Sequence, residues 1–156
     1  ELHTNAVSSC KNLTEVYLGK KVKVDSWQNQ DNFLSNCPSL AKITVSASNP
    51  NFTSTDNVLY SKDMTKIVKF APKKSQTSFK VPTTVTKIAD YAFRDATNLT
   101  DVTIPNSVTS IGSSAFRNLK QGSKIYCQSQ TVADLLKDGT HYDSSKTTVV
   151  VDASKF

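Results

Sequence analysis

The fold is decided by the stretch VPTTVTKIADYAF at residues 81–93, which recurs 23 residues later as IPNSVTSIGSSAF at residues 104–116. Six positions hold an apolar residue or proline in both copies, while most of the polar residues between them differ. A fixed period of about 20–50 residues is typical of a solenoid, in which each coil buries its apolar side against its neighbours. The chain is therefore expected to form stacked coils.

Each coil is expected to contribute one short strand with the pattern Leu-x-x-Val/Ile-x-Leu/Ile/Val. Three complete copies and two degraded ones occur: Leu13/Val16/Leu18, Leu40/Ile43/Val45, Leu99/Val102/Ile104, Gln76/Phe79/Val81 and Gly122/Ile125/Cys127. Apolar residues at a spacing of two point to one side of a strand. Because every coil returns in the same direction, the five strands should form a parallel sheet lining one face. Phe93 and Phe116 should stack on the opposite wall, with Leu34 and Val7 as smaller occupants.

Two segments depart from the 23-residue period. Residues 50–73 carry an insertion in which Val58-Leu59-Tyr60 and Lys66–Phe70 flank a polar turn, and this pattern predicts an antiparallel hairpin. Near the C-terminus, Thr131–Gly139 predicts a short helix with Thr131 as its N-cap, and Thr147–Val151 predicts a last strand. We expect a repeat region over 1–127 and a capping helix and strand over 128–156. Residues 1–10 match the tail of a coil, so further repeats are expected upstream.

The three cysteines are an odd number and do not form a disulfide framework. Cys10 and Cys37 each precede a strand by the same spacing, in a position that later coils fill with Ala96 and Leu119. This position is expected to be interior, where a free thiol behaves as a small apolar group. Buried free thiols are favoured, and a bridge between the two stacked cysteines stays open. Cys127 is expected in the core.

The motif Ile-Pro-x-x-Val-x-x-Ile-Gly-x-x-Ala-Phe at 104–116 resembles the BspA-like leucine-rich repeats, a 23-residue bacterial and protist type. The inserted stretch NVLYSKD at residues 57–63 also resembles a segment common in that family. The resemblance covers about residues 4–127. It implies a right-handed leucine-rich-repeat solenoid of the β-rich α/β repeat class, with a parallel sheet on the concave face and short helical turns. It also implies a secreted or cell-surface location and adhesion or host-protein binding without catalysis.

The outward positions of the predicted strands form the first candidate binding surface. Solenoids commonly bind partners on such a face, and exposed tyrosines among polar residues are typical anchors of an interface. An ordinary solvated sheet face is the alternative. The candidate ligand-binding residues on the concave face are Glu15, Tyr17, Lys42, Thr44, Lys80, Asp101, Thr103, Lys124 and Tyr126.

The positive charge is concentrated in one stretch of the chain. Seven lysines and one acid lie between Lys62 and Lys87, and their excess equals the whole net charge of +6. Such a zone can contact an anionic partner, or it can keep an exposed strand edge solvated. The candidate basic patch consists of Lys62, Lys66, Lys69, Lys73 and Lys74.

Other classes of function have little support in the sequence. Two arginines against 17 lysines, without interleaved aromatic residues, argue against nucleic-acid binding. With His3 and His141 as the sole histidines, no zinc-ligand spacing and no phosphate-binding glycine loop occur, so neither metal nor cofactor nor catalytic residues are expected. A Cys127–His141 pair or a triad around His141 and Asp143 would be coincidental. No apolar stretch is long enough to span a membrane.

The sequence thus predicts a non-enzymatic, monomeric binding module of an extracellular protein. Its partner is expected to be a host or matrix protein or an anionic glycan. The alternatives are an accessory repeat region of a larger secreted enzyme and a structural spacer that holds another domain away from a surface.

Overall fold

The computed structural model describes residues 7–23 and 33–156. Within these ranges the secondary structure is almost entirely short strands, with one five-residue helix and a 3-10 turn at the C-terminus (Ala153–Lys155). The elements in chain order are β1 (Glu15–Leu18), β2 (Lys42–Val45), β3 (Phe52–Thr55), β4 (Val58–Ser61), β5 (Lys66–Phe70), β6 (Ser78–Lys80), β7 (Lys87–Ile88), β8 (Asp101–Ile104), β9 (Ser110–Ile111), β10 (Ser123–Cys127), α1 (Gln130–Asp134) and β11 (Thr147–Val151).

The five repeat strands expected from the sequence are confirmed as β1, β2, β6, β8 and β10, and all their pairings are parallel. Their sheet, which we call the concave sheet, is however divided into two hydrogen-bonded parts. One part is β1–β2, and the other is the four-stranded order β11-β10-β8-β6. In the described ranges β2 has no pairing with β6, because the inserted strands β3 and β4 pack beside β2 instead.

The insertion forms the predicted hairpin, with β4 and β5 antiparallel. The sequence did not predict β3, which adds a third antiparallel strand beside β4. On its other side β5 pairs in parallel with the two-residue strand β7, which pairs in turn with β9. The insertion therefore begins a second, five-stranded sheet that continues across the following coils.

The hairpin separates two hydrophobic clusters and is buried on both faces. Val58, Ile67 and Phe70 belong to the larger cluster that fills the C-terminal coils. Leu59 and Val68 point the other way into a smaller cluster with Leu40 and Ile43, among others. Alternate residues of a strand point to opposite faces, so this placement explains why the hairpin carries continuous apolar residues rather than an alternating pattern.

The expected phenylalanine stack is present. The rings of Phe93 and Phe116 lie 5.1 Å apart at an angle of 16°, and Phe70 of the hairpin continues the stack at 5.4 Å from Phe93. Leu34 is fully buried and Val7 is partly buried in the corresponding earlier coils. Stacked and tilted ring pairs at such distances add to the stability from area burial alone.

A left-handed backbone position repeats in four coils. Ser9, Asn36, Asp95 and Asn118 have φ values of 59°, 54°, 66° and 61°, each one residue before the position occupied by Cys10, Cys37, Ala96 or Leu119. Their side chains also connect adjacent coils, because Asn118 Nδ2 donates to Asp95 Oδ1 at 2.8 Å and Asn36 Nδ2 donates to Ser9 Oγ at 3.3 Å. Asn and Asp tolerate this conformation better than most residues.

The C-terminal segment forms the helix and strand that the sequence predicts. The helix begins at Gln130 with Ser129 at the N-cap, so Thr131 lies inside it and the expected cap was wrong. Strand β11 pairs along its whole length with β10, and Phe116 bridges to Tyr142. The segment thus continues the coil pattern beyond residue 127, while the domain boundary expected there stays a prediction.

The interior position of the cysteines is confirmed for Cys37 and Cys127, which are both completely buried. For Cys10 the expectation was wrong, since its side chain is exposed. Cys37 packs within the smaller cluster beside the hairpin, and Cys10 is not a member of either cluster.

Candidate binding surface

The four-stranded part of the concave sheet presents two outward rows of side chains. In one row, register places Lys80, Thr103, Tyr126 and Val150 on successive strands, and in the other Ser78, Asp101, Lys124 and Thr148. The residues between them, such as Phe79, Val102 and Ile125, are buried. Strand pairing therefore holds five of the nine candidate residues side by side on a rigid backbone.

Only some of the polar groups at the centre of this surface have hydrogen-bond partners. The hydroxyl of Thr103 is buried and has no hydrogen-bond partner, although it lies between Lys80 and Tyr126. Lys155 places its Nζ 5.1 Å from the centre of the Tyr126 ring in a cation–π contact, and Tyr126 is half-buried. At the start of β8, Thr100 Oγ1 donates to Asp101 Oδ2 at 2.6 Å and fixes that carboxylate.

The other four candidate residues lie on β1 and β2. Glu15 and Lys42 are opposite each other and form an exposed ion pair of 3.3 Å. Tyr17 is 69% exposed, and Thr44 Oγ1 donates to Val16 O at 3.5 Å. Because β2 and β6 are not paired, the nine residues form two groups rather than the single face expected.

The predicted basic patch is dispersed over the molecule. Lys62 lies in the turn between β4 and β5 and donates to Ala47 O at 3.2 Å, whereas Lys74 lies at the opposite end of that hairpin and donates to Asp56 O at 2.5 Å. Lys73 is exposed in the loop after β5, and Lys66 is half-buried at the start of β5. The turn and the open end of an antiparallel hairpin are far apart, so these lysines do not form one patch.

Lys69 does not belong to any surface patch, which corrects the sequence assignment. Its side chain is only 3% exposed, and its Nζ donates to Tyr91 O at 2.9 Å. Phe70 occupies the stack position of Phe93, so Lys69 occupies the interior position that Ala92 fills one coil later. Burial is the main influence on the Lys69 ammonium and lowers its pKa to about 8, while the nearby charge of Asp95 acts in the opposite direction.

The groups considered for catalysis are engaged elsewhere. His141 is buried, with Nδ1 2.8 Å from Gly112 O and Nε2 3.1 Å from Asp138 Oδ1, so neither nitrogen is directed at Cys127. Burial raises the pKa of the Cys127 thiol to about 11, and an inert thiol results. Across residues 7–23 and 33–156, no cluster of His, Cys, Asp and Glu could hold a metal ion, and no helix has the length and apolarity to cross a membrane.

Two features of the structure were missed from the sequence. Thr148 and Val150 extend the outward rows because β11 joins the concave sheet, and the β-branched run at Thr147–Val151 was the available signal for that strand. Asn49 is completely buried and connects the segment after β1 to the start of β3: its Nδ2 donates to Gly19 O and Val22 O, and its Oδ1 accepts from the N–H groups of Asn51 and Phe52, at 2.8–3.0 Å. The repeat pattern does not predict a buried asparagine at the residue that precedes the insertion.

Coils of this size, with a parallel strand on one side and an apolar spine on the other, define the chain as a leucine-rich-repeat solenoid. The family model for the BspA type leucine-rich repeat region matches residues 1–64 and 65–150 with six copies. The chain belongs to the BspA-type leucine-rich repeat family. No match was found among curated proteins at a significant level.

Three solved structures are similar over most of the chain. A leucine-rich cell surface protein from Faecalibacterium prausnitzii is 25% identical with a TM-score of 0.64, over 79% of this chain and 31% of that one. The pneumococcal vaccine antigen PcpA is 18% identical with a TM-score of 0.61, over 96% and 58%. A leucine-rich repeat protein from Eubacterium ventriosum is 20% identical with a TM-score of 0.52, over 88% and 48%. The chain thus spans less than two thirds of the length of each.

Proposed function

We propose that this chain is a non-enzymatic, monomeric binding module of a secreted or cell-surface protein. Its ligand-binding surface is the four-stranded part of the concave sheet, and its partner is a host or matrix protein or glycan. The observation that carries the proposal is the pair of outward rows, in which an acid, two lysines, hydroxyl groups and Tyr126 share one rigid sheet. Similarity to a leucine-rich cell surface protein supports the location.

The size of this surface indicates weak binding by the fragment alone. Four strands at a spacing of about 4.8 Å, with about five residues at about 3.3 Å each, give an area of about 300 Å². A standard interface buries about 800 Å² on each partner. The neighbouring β1–β2 part, with Glu15, Tyr17, Lys42 and Thr44, adds further contacts to a ligand long enough to reach both parts.

A panel of immobilised matrix proteins and glycans tests the proposal with the intact chain and, where accessible, the full repeat array. For a ligand that binds, Tyr126→Ala and Lys124→Ala are expected to weaken binding by about tenfold or more, since aromatic and charged anchors carry most interface energy. Lys73→Ala is the matched control because Lys73 is exposed but lies outside the concave sheet. Absence of binding at high micromolar concentration would instead favour one of the two alternatives, a structural spacer or an accessory repeat region of a larger protein.

A second candidate surface for an anionic ligand is supported by β5, β7 and β9. Lys66 and Lys87 are directly opposite each other in register, with Ser110 next to them, over an open cavity of about 250 Å³ that Asp90 and Gly112 also line. Two lysines and a hydroxyl group that line one open cavity can contact an anionic group. A sulfated glycan should therefore lose salt-dependent binding on Lys87→Glu but not on Lys73→Glu. Equal effects of both variants would indicate non-specific attraction only.

A further inference from the structure

Cys10 and Cys37 occupy equivalent positions on adjacent coils. Strands β1 and β2 pair in parallel with Glu15 opposite Lys42, a separation of 27 residues, and the two cysteines have the same separation. Each cysteine also closes the same local turn, because the backbone N–H of Leu13 donates to Cys10 O and that of Leu40 donates to Cys37 O, both at 3.2 Å. The backbones of the two cysteines therefore run side by side.

Contacts on the N-terminal side fix the same alignment. Ser9 N donates to Ser35 O at 3.0 Å, and Asn36 Nδ2 donates to Ser9 Oγ at 3.3 Å. Neighbouring strands lie about 4.8 Å apart, which falls within the Cα separation of about 4.4–6.8 Å that a disulfide requires. Cys10 Sγ donates to Ser8 O at 3.6 Å and Cys37 Sγ donates to Val7 O at 3.0 Å, so the two thiols bond to carbonyls of adjacent residues.

The two thiols differ in accessibility, and this difference sets an order of reaction. Cys10 is exposed to solvent. Cys37 is buried, donates to Val7 O at 3.0 Å, and has a pKa raised mainly by burial. Cys127, also buried, has a pKa of about 11 and no cysteine beside it, so it serves as an internal control.

We propose that Cys10 and Cys37 form a disulfide bond under oxidising conditions. This bond links the first two described coils covalently. The oxidant is a small-molecule disulfide such as oxidised glutathione. The Cys10 thiolate attacks one sulfur of the oxidant and expels one glutathione thiolate. The Cys37 thiol then loses its proton to solvent and attacks the Cys10 sulfur, which expels the second glutathione. Two protein thiols are oxidised, and one glutathione disulfide is reduced to two thiols.

The position of the site gives the bond a structural role. Strands β1 and β2 form a separate two-stranded part of the concave sheet that lacks strand pairing to β6. A two-stranded unit has little stability of its own. At present the strand pairing of β1 with β2 keeps Glu15, Tyr17, Lys42 and Thr44 aligned. A covalent bond between the two coils would stabilise this alignment. The inference does not depend on the proposed ligand-binding function.

The test compares the reduced protein before and after exposure to oxidised glutathione. Intact mass is expected to fall by two hydrogen atoms, and a non-reducing digest should contain one peptide linking Cys10 to Cys37. The midpoint of thermal unfolding should rise by about 5–15 °C and return on addition of dithiothreitol. Cys127→Ala should behave like the wild type.

Two variants separate the steps. Cys37→Ala is compatible with the fold because Ala96 fills the same position in a later coil, and this variant should stop with one glutathione attached to Cys10. Cys10→Ser should neither lose hydrogen atoms nor gain thermal stability. Three free thiols after exposure, a wild type that stops at the glutathione adduct, a bridge to Cys127 or a bridge between two molecules would each overturn the proposal.

Discussion

Replacing the buried Lys69 with methionine should stabilise the protein at neutral pH. Lys69 lies in an interior position, makes one hydrogen bond to Tyr91 O, and is nearly inaccessible to water. Methionine has a similar length and flexibility without the charge, so it can fill the same space. Lys73→Met is the matched control, because Lys73 is exposed in the same segment and its replacement should change the free energy of unfolding by less than about 0.5 kcal/mol.

The magnitude follows from the pKa of Lys69, which burial lowers from 10.5 to about 8. At about 1.4 kcal/mol per pKa unit, this difference corresponds to a penalty of about 3 kcal/mol for keeping the ammonium charged in the folded protein. The variant also leaves Tyr91 O without its donor, which costs about 1 kcal/mol. The expected gain at pH 7 is therefore about 2 kcal/mol.

The gain should depend on pH in a defined direction. Below pH 8 Lys69 is charged in both states, and the full penalty is present. Between about pH 8 and 10.5 the folded protein releases the proton while the unfolded chain retains it, so the wild type becomes more stable relative to the variant as pH rises. Near pH 10 the two proteins should be almost equally stable.

Urea unfolding of both proteins at pH 7, 8.5 and 10 measures this difference. The thiol of Cys127 and the phenol of Tyr60, whose pKa values burial raises to about 11 and about 12, also affect stability at alkaline pH. Both proteins contain these groups, and the comparison cancels their contribution. A variant less stable than the wild type at pH 7, or a gain that persists at pH 10, would refute the reasoning.

Three further substitutions test the packing of the coils. Gly112→Ala would place a Cβ 2.3 Å from Asp90 N and Oδ1, so the two coils must separate, and we expect a loss of several °C in melting temperature. Phe93→Ala removes the central ring of the stack against Phe116 and should cost about 3–5 kcal/mol in the free energy of unfolding, measured by urea. Asn49→Ala leaves two backbone N–H groups and two carbonyls without their partner and should cost about 3 kcal/mol by the same assay.

Matched controls exist for each of these substitutions. At Gly19 an added Cβ would meet only a Tyr17 ring carbon at 4.0 Å, so Gly19→Ala should leave the melting temperature nearly unchanged. Tyr17→Ala removes an aromatic ring that is 69% exposed, and Asn12→Ala removes an exposed amide. If a control destabilised the protein as much as its core counterpart, packing between coils would not be the cause.

The regular coils could be predicted from the sequence because their signal is local. Strands β8 and β10 lie where the Leu-x-x-Val/Ile pattern places them, even though Gly122 replaces the expected leucine before β10. The stacking of Phe93 on Phe116 follows directly from the 23-residue period. Each of these features requires only that neighbouring coils repeat the same turn.

Predictions failed where a residue's surroundings depend on distant segments. Cys10 and Cys37 share one position in the repeat, yet only Cys37 packs against the hairpin residues Leu59 and Val68. Lys69 was assigned to the surface because the 23-residue period does not continue through the insertion. The period therefore could not predict whether the side chain of Lys69 points inward or outward. The hairpin register, with its irregularity between Leu59 and Tyr60, directs that side chain inward.

The sequence by itself determined the repeat, the inward face of each strand and the phenylalanine stack, because a periodic pattern of apolar residues can be buried in only one way by stacked coils. The tertiary structure alone decided that the insertion divides the concave sheet, that β11 extends it, and which lysines and cysteines reach solvent. These outcomes depend on which edge of a sheet is free to pair with a distant strand. That choice is made by the packing of the whole chain, and no short stretch of residues encodes it.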